Sequence, residues 1–284
     1  MPAIHQRVAE GRQRLRAAGL SSAEADISAR ALAEHVLGWT TERFLADAVD
    51  PEPAGFAARF DAAIARRAAR EPLAYIVGAR EFWGLTFEVT PDVLIPRPET
   101  ELIVETALLL HDDADAPIAV ADVGTGSGCV AVAIARERRH STIVATDISA
   151  AALAVARCNA ARHGVSDRIR FVSADLLDGV DGPFDLIVAN LPYVRERDHR
   201  GLQPEVQNEP EVALFAGADG LDAITRLLAD APPRMRRDAH LVFEFGFGQD
   251  LDIERLVASR PDLILVDLRH DLLGIARTAV AERR

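Results

Sequence analysis

The run Ile118-Ala-Val-Ala-Asp122-Val123-Gly124-Thr125-Gly126-Ser127-Gly128-Cys129 sets the architecture of this chain. An apolar stretch of strand length meets three alternating glycines, and Cys129 to Arg138 then reads as an amphipathic helix. A Gly-x-Gly-x-Gly turn between strand and helix lets backbone come very close to a ligand, with helix N–H groups pointing at it. A dinucleotide-binding turn would read Gly-x-Gly-x-x-Gly, and Cys129 stands where its third glycine belongs.

Downstream of the turn, strands and helices alternate. Thr142–Thr146 reads as a strand ending in Asp147, Ala150–His163 as a helix, Ile169–Val172 as a strand ending near Asp175, and Asp185–Ala189 as a buried strand. Leu221–Leu228, His240–Phe245, a helix over Leu251–Ala258 and strands near Leu263–Val266 and Ala276–Ala281 continue the series. This alternation predicts an α/β domain, a Rossmann-like parallel sheet with helices on both faces. Upstream, the helix opened by Arg97-Pro98-Glu99-Thr100-Glu101 is expected to reach about Leu110, its acids favouring the helix dipole.

The first 72 residues are helical in pattern. Ser21-Ser-Ala-Glu24 resembles a capping box, Gly38 should end that helix, and Phe56–Arg70 gives another amphipathic segment. The region 1–72 is therefore read as a small helical module for packing or docking. Leu73–Gly78 and Phe82–Val89 are β-rich and broken by glycine, so 73–98 is read as a β-hairpin followed by an extended, proline-rich linker. The α/β domain then spans 99–284.

Composition narrows the chemistry. All 32 basic residues are Arg, which excludes Schiff-base lysines and phosphate loops ending in Lys. Arg and acids balance within residues 1–72, so the net charge of −12 is carried by the remainder, a poor general surface for polyanions. Cys129 and Cys158 form no metal-spaced cluster, His5 and His35 lack ligand-spaced partners, and no metal is expected. No apolar run reaches the roughly 18 residues of a membrane span, and the first residues lack the apolar core of a secretory signal. A cytoplasmic protein without a membrane partner is the expectation.

The second informative stretch is Phe184-Asp-Leu-Ile-Val-Ala-Asn190-Leu191-Pro192-Tyr193, in which the buried strand ends in a polar, kinked, aromatic tetrapeptide. Loops beyond the carboxyl ends of such strands are where open α/β sheets bind ligands. An Asn oxygen, a backbone carbonyl and a Tyr ring beside a rigid Pro suit a planar amino or amide group, two acceptors for its N–H donors and a ring for its face. An ordinary turn after the strand is the plainer reading of these four residues. Strand-end aspartates, taken singly, are likewise turn formers. In series with the glycines, Asp122 and Asp147 match what S-adenosylmethionine enzymes place around the methionine amine and the ribose hydroxyls. A sulfonium or ammonium tolerates acids where a pyrophosphate would not.

The series resembles a class I S-adenosylmethionine methyltransferase, and from about residue 10 to 281 the chain is similar to the release-factor glutamine methyltransferases, the HemK/PrmC family. The resemblance rests on Pro72–Gly78, Glu81–Leu85, Leu94–Glu101, Asp122–Gly128, Glu209-Pro210 with Ala213-Leu214, and Gly217–Asp222. It implies methyl transfer from S-adenosyl-L-methionine to the side-chain amide nitrogen of the Gln in the Gly-Gly-Gln loop of class 1 peptide chain release factors. It further implies an N-terminal helical domain that helps dock that substrate, a β-hairpin linker, a seven-stranded catalytic domain, and no stable nucleic-acid partner; a monomer is expected. Carried over by position, Asp122, Gly124, Thr125, Gly126, Ser127, Gly128, Asp147, Asp175, Leu176 and Asn190 would contact the cofactor. Asn190, Leu191, Pro192 and Tyr193 would hold the glutamine amide.

Two positions depart from the family pattern. Leu191 replaces the first Pro of Asn-Pro-Pro-Tyr, keeping a carbonyl but losing rigidity and gaining an N–H. Leu176 stands where the family has Trp, making the expected adenine contact apolar. The Leu form also resembles the Asn-Leu-Pro-Tyr of ribosomal RNA adenine dimethyltransferases, so an exocyclic base amine is the rival substrate, and a cofactor-binding protein without transferase activity is a third reading. The sequence offers no obvious base beside Asn190, with His199 the one loop candidate and a solvent-exposed histidine its plainer reading.

Overall fold

The computed structural model describes residues 2–284, which divide into two compact units, 2–79 with 203–208, and 80–202 with 209–284. The first is all helical: α1 Ile4–Ala17, α2 Ser22–Leu37, α3 Thr41–Asp47, α4 Phe56–Ala68 and α5 Leu73–Val77. Ser21 caps α2 in the expected box, accepting from Glu24 N while its own N–H donates to Glu24 Oε2, and Gly38 ends the helix in the left-handed region. Ile4, Val8, Leu15, Leu32 and Ile64 are buried with the stacked rings of Phe56 and Phe60, and Gly11 faces Phe60 so closely that a Cβ would lie 2.9 Å from the ring. Segment 203–208 belongs to this unit through Glu205, which accepts from Arg67 at 2.7 Å and Arg70 at 2.9 Å.

The expected strand over Leu73–Gly78 is instead α5. Pro72, with its fixed φ, starts this short helix, Gly78 stops it at φ 74°, and burial of Tyr75 and Ile76 outweighs their β propensity. The hairpin lies just after, β1 Ala79–Phe82 and β2 Leu85–Glu88, turned at Trp83-Gly84, both with positive φ.

In the larger unit, α6 Glu101–Leu110 precedes β3 Ile118–Val123, α7 Cys129–Glu137, β4 Ser141–Asp147, α8 Ala150–Arg162, β5 Ile169–Ser173 and β6 Phe184–Ala189. Then come α9 Asp222–Asp230, β7 Met235–Glu244, α10 Asp250–Ala258, β8 Leu263–His270 and β9 Ala276–Arg283. The seven-stranded sheet has the order β5-β4-β3-β6-β7-β9-β8. Five strands are parallel, as expected, but β9 runs antiparallel between β7 and β8. The connection from β8 to β9 is a tight turn, Asp271–Ile275, too short for the crossover a parallel pair needs. Among the described residues no helix is long and apolar enough to cross a membrane.

Alternation along each strand sends side chains to two cores. Val120, Leu186, Val188 and Val242 join the layer with α6, α7 and the hairpin phenylalanines, whereas Ala121, Ile187, Leu241 and Phe243 join the layer with α9 and α10. The chain leaves β3 towards β4 and later returns to β6 on its other side, which makes the carboxyl ends of β3 and β6 the switch point of the sheet. Val123 pairs with Ala189, and Ala189 with Phe243. The glycine turn, Asn190 and Glu244 therefore emerge side by side.

Candidate active site

A cavity of about 390 Å3 opens at this switch point, within the size range of small-molecule sites. Its wall includes Asp122, Gly124, Thr125, Gly126, Ser127, Asp147, Asp175, Leu176, Asn190, Leu191 and Pro192. Two expected site residues do not border it. Gly128 lies behind, with Ala156 so near that an added Cβ would sit 3.0 Å from it, and Tyr193 lies to one side, its ring against Gly246.

The glycine turn is held by acids. Asp122, buried, accepts from Thr125 Oγ1 at 2.6 Å and from Ala131 N at 3.2 Å. Burial pushes its carboxyl up to about 6 against the pull of those bonds. Asp147 Oδ2 accepts from Gly126 N and Oδ1 from Ser149 N, each at 2.9 Å, while burial holds its pKa above the usual carboxylate value. Each oxygen retains a lone pair for a further donor. Gly124 needs glycine for its φ of 72°, and a Cβ there would also stand 2.9 Å from Leu191 Cδ2 and push that side chain aside. Asp175 accepts from Arg226 at 2.7 Å, and Leu176 is in the left-handed region at φ 52°, where a bulky residue is strained.

The tetrapeptide is anchored from behind. Asn190 Nδ2 donates to Thr100 Oγ1 at 2.9 Å, Thr100 Oγ1 donates to Glu244 Oε2 at 2.7 Å, and Tyr193 OH donates to Glu244 Oε1 at 3.1 Å. Glu244 is 2% exposed, and burial drives its pKa up to about 7 against the hydrogen bonds of Thr100 and Tyr193. Burial, with Glu244 beside it, also raises the Tyr193 phenol. Gln249 completes the anchorage, accepting from Gly246 N at 2.7 Å and donating to the Tyr193 carbonyl at 3.2 Å.

The loop 209–217 and the linker 90–98 wall the cavity on other sides. Val194 exchanges backbone hydrogen bonds with Leu214 and Ala216. Buried Glu209 accepts from Ile95 N at 3.0 Å and Arg97 at 2.5 Å, so Arg97 is structural. Asn159, at 0% exposure, ties β2 to the turn by accepting from Glu88 N and donating to the carbonyls of Glu88 and Ser127. His199 stacks on Phe215 and does not border the cavity. Among the described residues no group of three or more His, Cys, Asp or Glu is arranged to hold a metal ion.

Residues 6–78 match the model of the PrmC N-terminal domain, and residues 100–205 that of the methyltransferase small domain. The chain is 42% identical to a release factor glutamine methyltransferase of Cereibacter sphaeroides, over 94% of each chain. It is likewise 42% identical to one of Bordetella pertussis, over 88% of this chain and 92% of that one. This chain belongs to the release factor glutamine methyltransferase family. In fold, it resembles a T. thermophilus 16S rRNA methyltransferase solved with AdoMet and guanosine, at 17% identity and a TM-score of 0.54, over 72% of this chain and 50% of that one.

For this family member, sequence reasoning found the strand-end motifs and missed what holds them. Thr100 and Glu209 lie inside motifs quoted above, without a role. Glu244 ends an apolar strand, the same signal that singled out Asp122 and Asp147, and would have been found by applying it to every strand. Beside Asn190 itself the structure places the Thr100 hydroxyl, and a carboxylate, Glu244, lies beyond it and off the cavity wall.

Proposed function

We propose that this protein transfers a methyl group from S-adenosyl-L-methionine to the side-chain amide nitrogen of the Gln in the Gly-Gly-Gln loop of class 1 peptide chain release factors. The observation that carries the reading is the orientation of Asn190: with Nδ2 engaged by Thr100, Oδ1 is the atom left to accept from a substrate amide.

The cavity suits the cofactor by charge. Asp92, Asp122, Asp147, Asp175 and Asp222 line it, and Arg226, the one basic lining residue among the described residues, is already paired with Asp175. Such a wall favours an ammonium and a sulfonium and disfavours a pyrophosphate. Asp147 has free lone pairs for the ribose hydroxyls, and Leu176 offers an apolar surface to a base. When bound, the cofactor supplies an electrophilic methyl on a sulfonium.

The chain's own residues then have a positioning task. An amide nitrogen is a weak nucleophile whose lone pair is delocalised, and its N–H is too weak an acid for a side-chain base. Asn190 Oδ1 and the Leu191 carbonyl accept the two amide protons and hold the nitrogen in line, Pro192 stiffens the turn, and Tyr193, set to one side of the cavity, anchors the tetrapeptide through Glu244. Fixed acceptor dipoles stabilise the positive charge that grows on nitrogen, and one N–H proton is lost to solvent as the product forms.

Labelled S-adenosylmethionine offered with purified release factor, its loop Gln→Ala variant and ribosomal RNA tests the assignment. Label on the native factor alone is expected, and label on the RNA or on both factor forms refutes it. Asn190→Ala should lower kcat at least about 100-fold while cofactor affinity changes far less. An active Ala variant removes the amide-gripping mechanism.

A further inference from the structure

Glu244 is a carboxylate enclosed at the end of β7, and among the described residues no basic side chain is hydrogen-bonded to it. Burying such a group without a cation is unfavourable, and it is retained where it performs a task. Its two partners are hydroxyls, each with a single proton. An ionised carboxylate only accepts, so Thr100 and Tyr193 must both direct their protons to it. Thr100 Oγ1 is then left with lone pairs alone, and its other neighbour, 2.9 Å away, is the Asn190 side chain. That neighbour has to present Nδ2, which turns Oδ1 away from Thr100.

The opposite polarity is available to any group at 244 that can donate. A donor there would give its proton to Thr100, Thr100 would give its own to Asn190 Oδ1, and the amide would turn Nδ2 to the substrate. Two N–H donors, on enzyme and on substrate, would then face one another.

We propose that Glu244 is a positioning residue whose carboxylate, acting through the Thr100 hydroxyl and steadied by that of Tyr193, sets which end of the Asn190 amide meets the substrate glutamine. The inference rests on the reading that Asn190 Oδ1 accepts from that glutamine. Glu244 does not border the cavity and touches neither substrate nor cofactor. Sheet register makes the arrangement possible: β7 lies beside β6 with Phe243 opposite Ala189, and Glu244 and Asn190 follow on the face shared by Val242, Val188 and α6, which Thr100 precedes.

The full-length protein is assayed with purified class 1 release factor and labelled S-adenosylmethionine, alongside calorimetric binding of S-adenosylhomocysteine. Glu244→Gln, of the same shape but with a donor, should lower kcat about 10- to 100-fold. Its product Kd should stay within about threefold of wild type. Thr100→Val should lose a similar factor, and Thr100→Ser, which restores the hydroxyl, should return to within about threefold of wild type. In a Thr100→Val/Tyr193→Phe background, Glu244→Gln should have no further effect on kcat, because both routes are already cut. Wild-type kcat should fall as pH drops through about 7, where Glu244 gains its proton, and the Gln variant should not follow. The groups that act on this carboxyl are Thr100, Tyr193, Glu99 and Arg277.

Undiminished kcat in Glu244→Gln, or an undiminished effect of that change in the double-variant background, overturns the proposal. Should Glu244→Gln fail to fold, the two Thr100 variants decide, and equal kcat in Ser and Val overturns it. A wild-type protein that labels no glutamine in the factor removes the proposed function itself, whereas an active wild type with an indifferent Glu244→Gln removes only this inference.

Discussion

Glu244→Gln should stabilise the protein relative to wild type increasingly as pH rises, although it slows turnover. Burial lifts this carboxyl from its ordinary value of 4.5 to about 7, with Glu99 adding to the rise and Thr100, Tyr193 and Arg277 opposing it. The folded state thus binds the proton more tightly than the unfolded chain. The group's contribution to stability is complete below pH 4.5 and is lost as pH rises through about 7. At 1.36 kcal/mol per pKa unit, the full effect is about 3 kcal/mol, of which about 2 to 3 kcal/mol falls between pH 5 and pH 8. Gln does not titrate, so the difference between the unfolding free energies of wild type and variant should change by that amount over the interval. Other raised acids, such as Asp122 at about 6, are common to both proteins and cancel. Urea unfolding at closely spaced pH values, followed by circular dichroism, measures the difference directly. In thermal scans the same change corresponds to roughly 5 to 10 °C. Stability curves of wild type and variant that stay parallel within about 0.5 kcal/mol from pH 5 to 8 would mean that Glu244 is ionised throughout, and would refute the reasoning.

Asp147→Asn should weaken binding of S-adenosylhomocysteine about 30- to 1000-fold, since it sets an NH2 group among backbone N–H donors and removes a charged acceptor, and calorimetry reads the change. Asn159→Leu should destabilise by about 3 to 5 kcal/mol, because the Glu88 N–H and the Glu88 and Ser127 carbonyls lose their partner together, and urea unfolding measures it. Gly220→Ala should destabilise by about 2 to 4 kcal/mol and lower kcat as well. Its φ is +78° and the new Cβ would stand 2.2 Å from the Tyr193 carbonyl oxygen, so the Tyr193 backbone has to move; unfolding and turnover assays check both effects.

What could be read from the chain alone is what its neighbours in sequence determine. The strand, glycine turn and helix of 118–138 are local, as are the Ser21–Glu24 cap and the break at Gly38, and each is formed by residues within a few positions of one another. Leu73–Val77 looks β-rich in sequence because a five-residue segment carries too little periodicity to outweigh its Val, Ile and Tyr, and its helical state depends on burial among distant helices. The antiparallel entry of β9 depended on where a turn fell rather than on the strand's own composition.

The anchorage of Asn190 belongs to a different class. Thr100 and Glu244 are 144 positions apart and meet only because α6 covers the face on which the carboxyl ends of β6 and β7 project. A strand-end acid is visible in sequence, but whether it points at a ligand, a backbone turn or another side chain depends on strand order. Asp122 and Asp147 end neighbouring strands on the glycine-turn side of the switch point, and both hold that turn. Glu244 ends a strand on the other side of β6, with Asn190 between it and the glycines. The same chemical signal therefore divides into two tasks according to its side of β6: acids that hold the glycine turn at the cavity wall, and one acid that, through Thr100, orients the Asn190 amide from behind.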